Sequence, residues 1–300
     1  MAYTSGDTIL DDHYNDFATS VNALWGTGTG DRGYGETTTV SSVSPGTTIT
    51  ATQWTTLLTR INSMKDHQVS SITAITNPSA ADVISAYTAL STNIATIDTN
   101  RLNVLSRQAV VNTNRDNTAT FTGTLTFTNK WAWASVNQAR YFFNAGGRLS
   151  MSGSQTGHGS DSKGNEWANL LTAAGTYYIN AQTSGKSGGS GTPSTNDTNK
   201  GYHDLTATYA TLFQQYEDTG PYTANYVQWQ ARTQDSGASV EVSCTWVDAA
   251  ADTTYNKSVY NVYDQVEGTH RMTFGYEKHT TTYVADNGGT ITVTGSATGS

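Results

Sequence analysis

The chain has 300 residues and a formal net charge of -8, with 16 Lys and Arg scattered along it and no basic run. That balance excludes a phosphate-backbone binder, which needs clustered cations, so no nucleic-acid partner is expected. Charged residues make up 13% where about 25% is usual, and Thr, Ser, Asn and Gly take their place. A single cysteine, Cys244, excludes an intrachain disulfide framework. The opening Met-Ala-Tyr-Thr-Ser-Gly-Asp has no basic or apolar leader, so no signal peptide is expected and folding is expected in the cytoplasm. No stretch reaches the roughly 18 apolar residues of a membrane span, so no membrane insertion is expected. Hydrophobic residues are 36%, little core material for this length, yet there are 7 Trp and 17 Tyr. Large rings with a polar tip suit surfaces buried between subunits, so a homo-oligomer is expected, with a trimer favoured.

An internal repeat at an offset of 40 residues comes first. Gly6-Asp7-Thr8-Ile9 matches Gly46-Thr47-Thr48-Ile49, and Tyr14, Phe17, Val21 and Asn22 fall on Trp54, Leu57, Ile61 and Asn62. Each copy, about 3–25 and 43–65, reads as a turn followed by a one-faced helix. Leu10, Tyr14, Phe17, Val21 and Leu24 form one stripe, and Trp54, Leu57, Leu58, Ile61 and Met64 the other. Thr50 and Gln53 have the spacing of a capping box, and Ile49 and Trp54 that of a hydrophobic staple. The glycine-rich Trp25–Glu36 between the copies fits no nucleotide-binding spacing and reads as a structural loop held by Trp25 and Tyr34. A long third helix is predicted over about 79–105, starting from Ser79. Val83, Tyr87, Leu90, Ile94 and Ile97 step at heptad spacing and Val104 continues the register. It either packs on the repeat helices or self-associates as a stalk; at about 1.5 Å per residue it would be roughly 40 Å long.

From Val110 the period changes to two. Thr120 to Phe127 alternates as a half-buried strand, and Arg140–Ser152 reads as a central hairpin turning at Gly146-Gly147, with Tyr141, Phe142 and Phe143 as core or interface. Glu166–Leu171 reads as a short helix ended by Gly175 before a strand, and 182–200 as a loop excursion. Tyr222–Arg232 pairs with Ala238–Asp248 as the clearest hairpin, placing Trp229 and Trp246 on inner faces. A second hairpin is predicted across Asp286–Gly289, joining 280–285 to 290–294. The fold class expected is α+β: a helical region 1–105 with a duplicated turn-helix unit, then an antiparallel, jelly-roll-like β-sandwich over 106–300. The residues expected to carry structure or interfaces are Tyr14, Phe17, Trp54, Leu57, Ile61, Tyr87, Leu90, Ile94, Tyr141, Phe142, Phe143, Gly146, Gly147, Trp229 and Trp246.

Chemistry is harder to find. Gly185-Lys186-Ser187 resembles the end of a phosphate loop, but the glycine required at 180 is Asn. Asp11, Asp12 and His13 are adjacent and cannot share one helical face as ligands; they suit a helix N-terminus. The remaining histidines, His67, His158, His203, His270 and His279, have no metal-binding spacing. Cys244 sits in an alternating strand as a small buried residue rather than a reactive thiol. No nucleophile elbow occurs. No enzyme, cofactor or metal is therefore expected.

The strings Tyr-Phe-Phe-Asn-Ala-Gly-Gly-Arg-Leu-Ser from Tyr141, Asn165-Glu-Trp-Ala-Asn-Leu-Leu-Thr-Ala-Ala-Gly-Thr176 and Gly201-Tyr-His-Asp-Leu-Thr206 resemble virion structural proteins of tailed bacteriophages. Contractile-tailed phages of cyanobacteria and marine bacteria are the type they look like. Gly6–Phe17 and Trp25–Tyr34 share the likeness, so it touches most of the chain. The resemblance implies a multi-copy tail, neck, baseplate or fibre component, located in the virion and bound to other virion proteins. It carries over no catalytic residue. Two alternatives stay open: a receptor-binding protein that recognises a host surface glycan, and a glycan-degrading virion enzyme.

Overall fold

The computed structural model describes residues 11–77, 87–158, 162–218, 220–250, 254–256, 261–263 and 265–299. The chain forms two compact units. The first is Met1–Gln108 with Arg140–Gly147 and Lys278–Gly289; the second is Ala109–Ala139, Arg148–Glu277 and Thr290–Ser300. The helical unit is thus not confined to the N-terminal 105 residues.

Unit 1 holds α1 (Asp11–Trp25), α2 (Ala51–Gln68) and α3 (Tyr87–Thr99). The two repeat stripes face one core: Tyr14, Phe17 and Val21 of α1 and Trp54, Leu57 and Ile61 of α2 are all buried. The equivalent rings Tyr14 and Trp54 lie 6.5 Å apart, and the Tyr14 hydroxyl donates to the Gln53 carbonyl at 3.2 Å. Thr50 caps α2 with the full reciprocal capping box, and Ile49 packs on the core. The Gly6–Leu10 part of the first repeat and the Ser79–Val83 start of the third helix lie outside the described residues.

Leu90, Ile94 and Ile97 bury α3 against α1 and α2, with Tyr87 half-buried beside Phe17 at 5.1 Å. The helix ends at Thr99, so the register does not run on to Val104 or 105. Arg101 explains the stop: its guanidinium pairs with Asp31 and donates to the Asp98 carbonyl at 2.7 Å, folding the chain back at the helix end.

The segments between helices are held by asparagine amides. Asn15 donates to the Val43 carbonyl at 3.0 Å and accepts from the Val43 N–H at 2.8 Å; Asn22 clamps Val40 in the same way, both bonds at 2.8 Å. Asn93 does the same for Thr73, at 2.8 and 2.9 Å. Each amide does for an extended segment what a neighbouring strand would do. Asn62, the repeat counterpart of Asn22, is exposed.

The expected hairpin at Arg140–Ser152 is a helix followed by a strand. α4 (Val136–Asn144) ends at Gly146, whose φ is +89° and where a Cβ would meet Val104 at 2.5 Å. Gly147 N–H donates to Phe142 O at 2.8 Å and Gly146 N–H to Phe143 O at 3.0 Å, the bond pair of a Schellman cap. A helix C-cap and a hairpin turn both need a left-handed glycine, so the Gly-Gly pair alone does not distinguish them. Tyr141 closes over Gly35, where a Cβ would lie 2.5 Å from the ring.

Unit 2 contains β1 (Val111–Asn117), β2 (Gly123–Ala132), β3 (Arg148–Thr156), α5 (Ser162–Ala174), β4 (Thr176–Ile179), β5 (Ser184–Ser187), β6 (Thr195–Asn196), β7 (Ala210–Tyr216), β8 (Tyr226–Gln234), β9 (Ser239–Asp248), β10 (Thr254–Asn256), β11 (Asn261–Tyr263), β12 (Thr269–Glu277) and β13 (Thr292–Gly299). They form a five-stranded sheet, β1-β12-β3-β4-β5, a six-stranded sheet, β13-β2-β9-β8-β7-β6, and a β10-β11 ribbon, with every neighbour antiparallel. β1 and β2 lie beside β12 and β9 respectively, one pair in each sheet, which is the jelly-roll way of crossing layers; β6 to β9 run as a meander.

The inner faces meet in an aromatic core: Trp131 is 6.0 Å from Phe274, Trp246 is 5.8 Å from His270, and Cys244 Sγ touches Met151 Sδ at 3.8 Å. The β8–β9 hairpin is the one expected, turning at Asp235–Gly237. The hairpin expected across Asp286–Gly289 does not form. Residues 280–289 make turns in unit 1, clasped by Lys278 Nζ on Asp286 at 2.6 Å, and β13 pairs with β2 instead. The expected 182–200 loop contains β5 and β6, because the Tyr177 hydroxyl reaches the Asp197 carbonyl at 2.7 Å and fixes the excursion.

Candidate functional site

The residues singled out from the sequence fall within the two units. Tyr14, Phe17, Trp54, Leu57, Ile61, Leu90, Ile94, Tyr141, Phe142 and Phe143 are buried, and Tyr87 is half-buried. Gly146 and Gly147 end α4. Trp229 stacks on Phe213 and Trp246 on Trp167, each at 5.8 Å, inside the sandwich.

The groups with acid–base capacity are used by the fold. His67 Nε2 lies 3.1 Å from the Ala145 carbonyl, so Nε2 carries the proton; burial, reinforced by His279 at 5.4 Å between rings, lowers its pKa to about 4. His279 Nε2 faces the Val284 and Ala285 carbonyls at 3.2 Å, and His270 Nδ1 faces Asn117 O at 3.2 Å; burial lowers both pKa values. All three are neutral imidazoles that hold backbone. Burial raises the Cys244 thiol well above its ordinary range. Lys163 at the start of α5 and Asp248 at the end of β9 form a 2.7 Å ion pair with both side chains fully buried. No group of three His, Cys, Asp or Glu able to hold a metal occurs among the described residues. No helix among them is long and apolar enough to cross a membrane.

A further surface is the outer face of the six-stranded sheet. Register places its side chains in rows. Gln214, Gln228, Thr245, Thr126 and Thr298 lie in line across β7, β8, β9, β2 and β13; Gln230, Ser243, Thr128 and Ser296 form the next row. The rows are bonded sideways: Gln228 Nε2 to Gln214 Oε1 at 3.4 Å, Gln230 Nε2 to Thr211 Oγ1 at 3.1 Å, and Thr128 Oγ1 with Ser296 Oγ at 3.0 Å. At one end Tyr216 and Tyr226 pair with ring centroids 5.0 Å apart, and Gln214 Nε2 donates to the Tyr216 hydroxyl at 3.0 Å.

At the other end the charges cancel in pairs. Arg232 donates to Glu241 at 2.7 Å and covers the Tyr209 ring at 4.3 Å, the Tyr209 hydroxyl also donates to Glu241, and Lys130 meets Asp235 at 2.7 Å. The Tyr209 pKa is raised to about 12, by burial first and then by Glu241. For Glu241 burial pushes upward, but the hydrogen bonds from Tyr209 and Arg232 together with the Arg232 and Lys130 charges outweigh it and hold the carboxyl below its ordinary value. Tyr216 also lines a polar cleft of about 290 Å³ with Asn169, Thr172, Gln215 and Asp218. The sequence signal for this face is the polar half of each strand's alternation, whose apolar half points to the core. No family model matches the chain, and no curated protein or solved structure is detectably similar to it.

Proposed function

We propose that this chain is a structural component of a tailed-phage virion, present in many copies and acting through protein–protein assembly in the tail, neck, baseplate or a fibre. The strings that resemble virion proteins supply buried positions of both units: Tyr34 and Phe142 in the helical unit, Trp167 and Tyr202 in the sandwich.

The observation that carries the assembly reading is Val69. It caps α2 with φ +57°, a left-handed conformation that a β-branched residue rarely takes, and its side chain is 66% exposed. Exposed Leu105 lies on the adjoining segment, whose N–H donates to the His67 carbonyl at 2.7 Å. Residues held in sparsely populated backbone conformations cluster at functional sites, and this one carries an exposed apolar side chain, which supports a contact role for Val69.

Light scattering after size exclusion tests this on the full chain, together with a pull-down against purified particle proteins. A homo-oligomer, or capture of another virion protein, is expected. A stable monomer that captures none would sink the reading.

A further inference from the structure

We propose that the outer face of the six-stranded sheet binds a neutral polysaccharide chain. The inference stands on that face alone and does not depend on the virion reading. With Thr195 of β6 opposite Gln214, the longest row crosses six strands, about 24 Å at roughly 4.8 Å between neighbours, a span suited to an extended oligosaccharide.

Its chemistry matches that ligand in three respects. Amides and hydroxyls both donate and accept, as sugar hydroxyls do, so each can serve either polarity of the ligand. The lateral bonds between Gln214, Gln228, Gln230 and Thr211 fix those groups before any ligand arrives, which lowers the ordering cost of binding. Tyr216, 43% exposed, presents a ring to the apolar C–H surface of a sugar at the end of the row.

Charge decides against other ligands. Lys130 with Asp235 and Arg232 with Glu241 neutralise one another, which leaves nothing to select a polyanion. A second copy of this chain is disfavoured by the scarcity of apolar area. Outside the tyrosines the outward positions hold only Val247 and Ala132 as aliphatic groups, little to bury in a stable protein interface. The outer face of the five-stranded sheet differs: Gly275, Ser150 and Gly185 flank a single ring, Tyr178, which Arg148 covers at 3.9 Å, and Arg271–Asp116 and Arg148–Glu277 cross the face as ion pairs.

The test is affinity electrophoresis of the full chain through gels containing dextran, mannan, galactan or the acidic polymer alginate. Retardation by at least one neutral polymer, unchanged by added salt, is expected. Tyr216→Ala with Tyr226→Ala, and separately Gln228→Ala with Gln230→Ala, should each weaken it about tenfold or more. Tyr178→Ala on the other sheet should leave it unchanged, and circular dichroism melts would show that every variant folds. The proposal is overturned by no retardation in any neutral polymer, by salt-sensitive binding to alginate alone, or by retardation that both face variants retain. It is equally overturned if those variants turn an oligomer into a monomer, which would make the face a protein contact.

Discussion

The two units treat their buried polar groups differently. In the helical unit the extended segments have no sheet to pair with, so Asn15, Asn22 and Asn93 supply the missing partners and the Trp25 indole donates to Thr38 O at 3.1 Å. In the sandwich the ladders satisfy the backbone, and the core is left to large rings. Among the described residues the indole N–H groups of Trp131, Trp167, Trp229 and Trp246 are buried there with no protein acceptor. The helical unit therefore depends on individual polar side chains, and the sandwich on aromatic volume that outweighs some unpaired donors.

Lys163–Asp248 is the sharpest exception on the sandwich side and gives the largest expected effect. Replacing one partner of a fully buried ion pair leaves the other charge without its counter-ion, at a cost of about 3–5 kcal/mol. Urea unfolding of Lys163→Met should show that loss, and the double variant Lys163→Met with Asp248→Leu should recover most of it. A double variant as unstable as the single one would mean the pair does more than neutralise itself.

In the helical unit the corresponding stress is acid. His67 is depressed to about 4 from an unfolded value near 6.5, so the unfolded chain binds the proton first as pH falls. Its contribution is complete above about pH 6.5 and is lost between there and pH 4, roughly 3 kcal/mol in all. The groups facing the pair are Tyr34 on His67, and Lys278 and Asp286 on His279; His279 is shifted in the same direction and adds to the loss. The lowered carboxyls Asp116, Asp235 and Glu241 release their stability only below about pH 4.5, so a comparison of pH 7.5 with pH 5 isolates the histidines. Hydrogen exchange of amides in 51–68 should accelerate at pH 5 beyond the intrinsic rate change, and His67→Gln should flatten that response.

The contrast also accounts for what was legible in the sequence. The α1 stripe from Tyr14 to Leu24, the α2 stripe and the β8–β9 hairpin follow from periodicity, which is a local property, and the structure has them where they are expected. Arg140–Ser152 and 280–294 were misread because a glycine pair signals a left-handed turn without saying what enters it; in both places the chain leaves the sandwich and joins the helical unit. The polar sheet face escaped because its rows exist only once strands distant in sequence are in register.

Asn22 was visible as part of the repeat, but its role was not, since Asn62 repeats the letter without the contact. That gives a matched test. Asn22→Ala strands the Val40 N–H and carbonyl and should cost about 2 kcal/mol, while Asn62→Ala should fall within about 0.5 kcal/mol of wild type. Equal effects at the two sites would show that the clamps are incidental.

The smallest expected effect has the opposite sign. Glycine adopts positive φ without penalty, so Val69→Gly should relieve the left-handed cap of α2 and stabilise the isolated chain by about 1 kcal/mol, although glycine's freedom in the unfolded state offsets part of the gain. If the exposed Val69 is held there for contact, the same substitution should weaken self-association or partner capture while the melting temperature rises. Stability and assembly would then move in opposite directions, which ordinary damage to the fold cannot produce. A variant that melts higher and assembles unchanged would leave the strain at Val69 without a use in assembly.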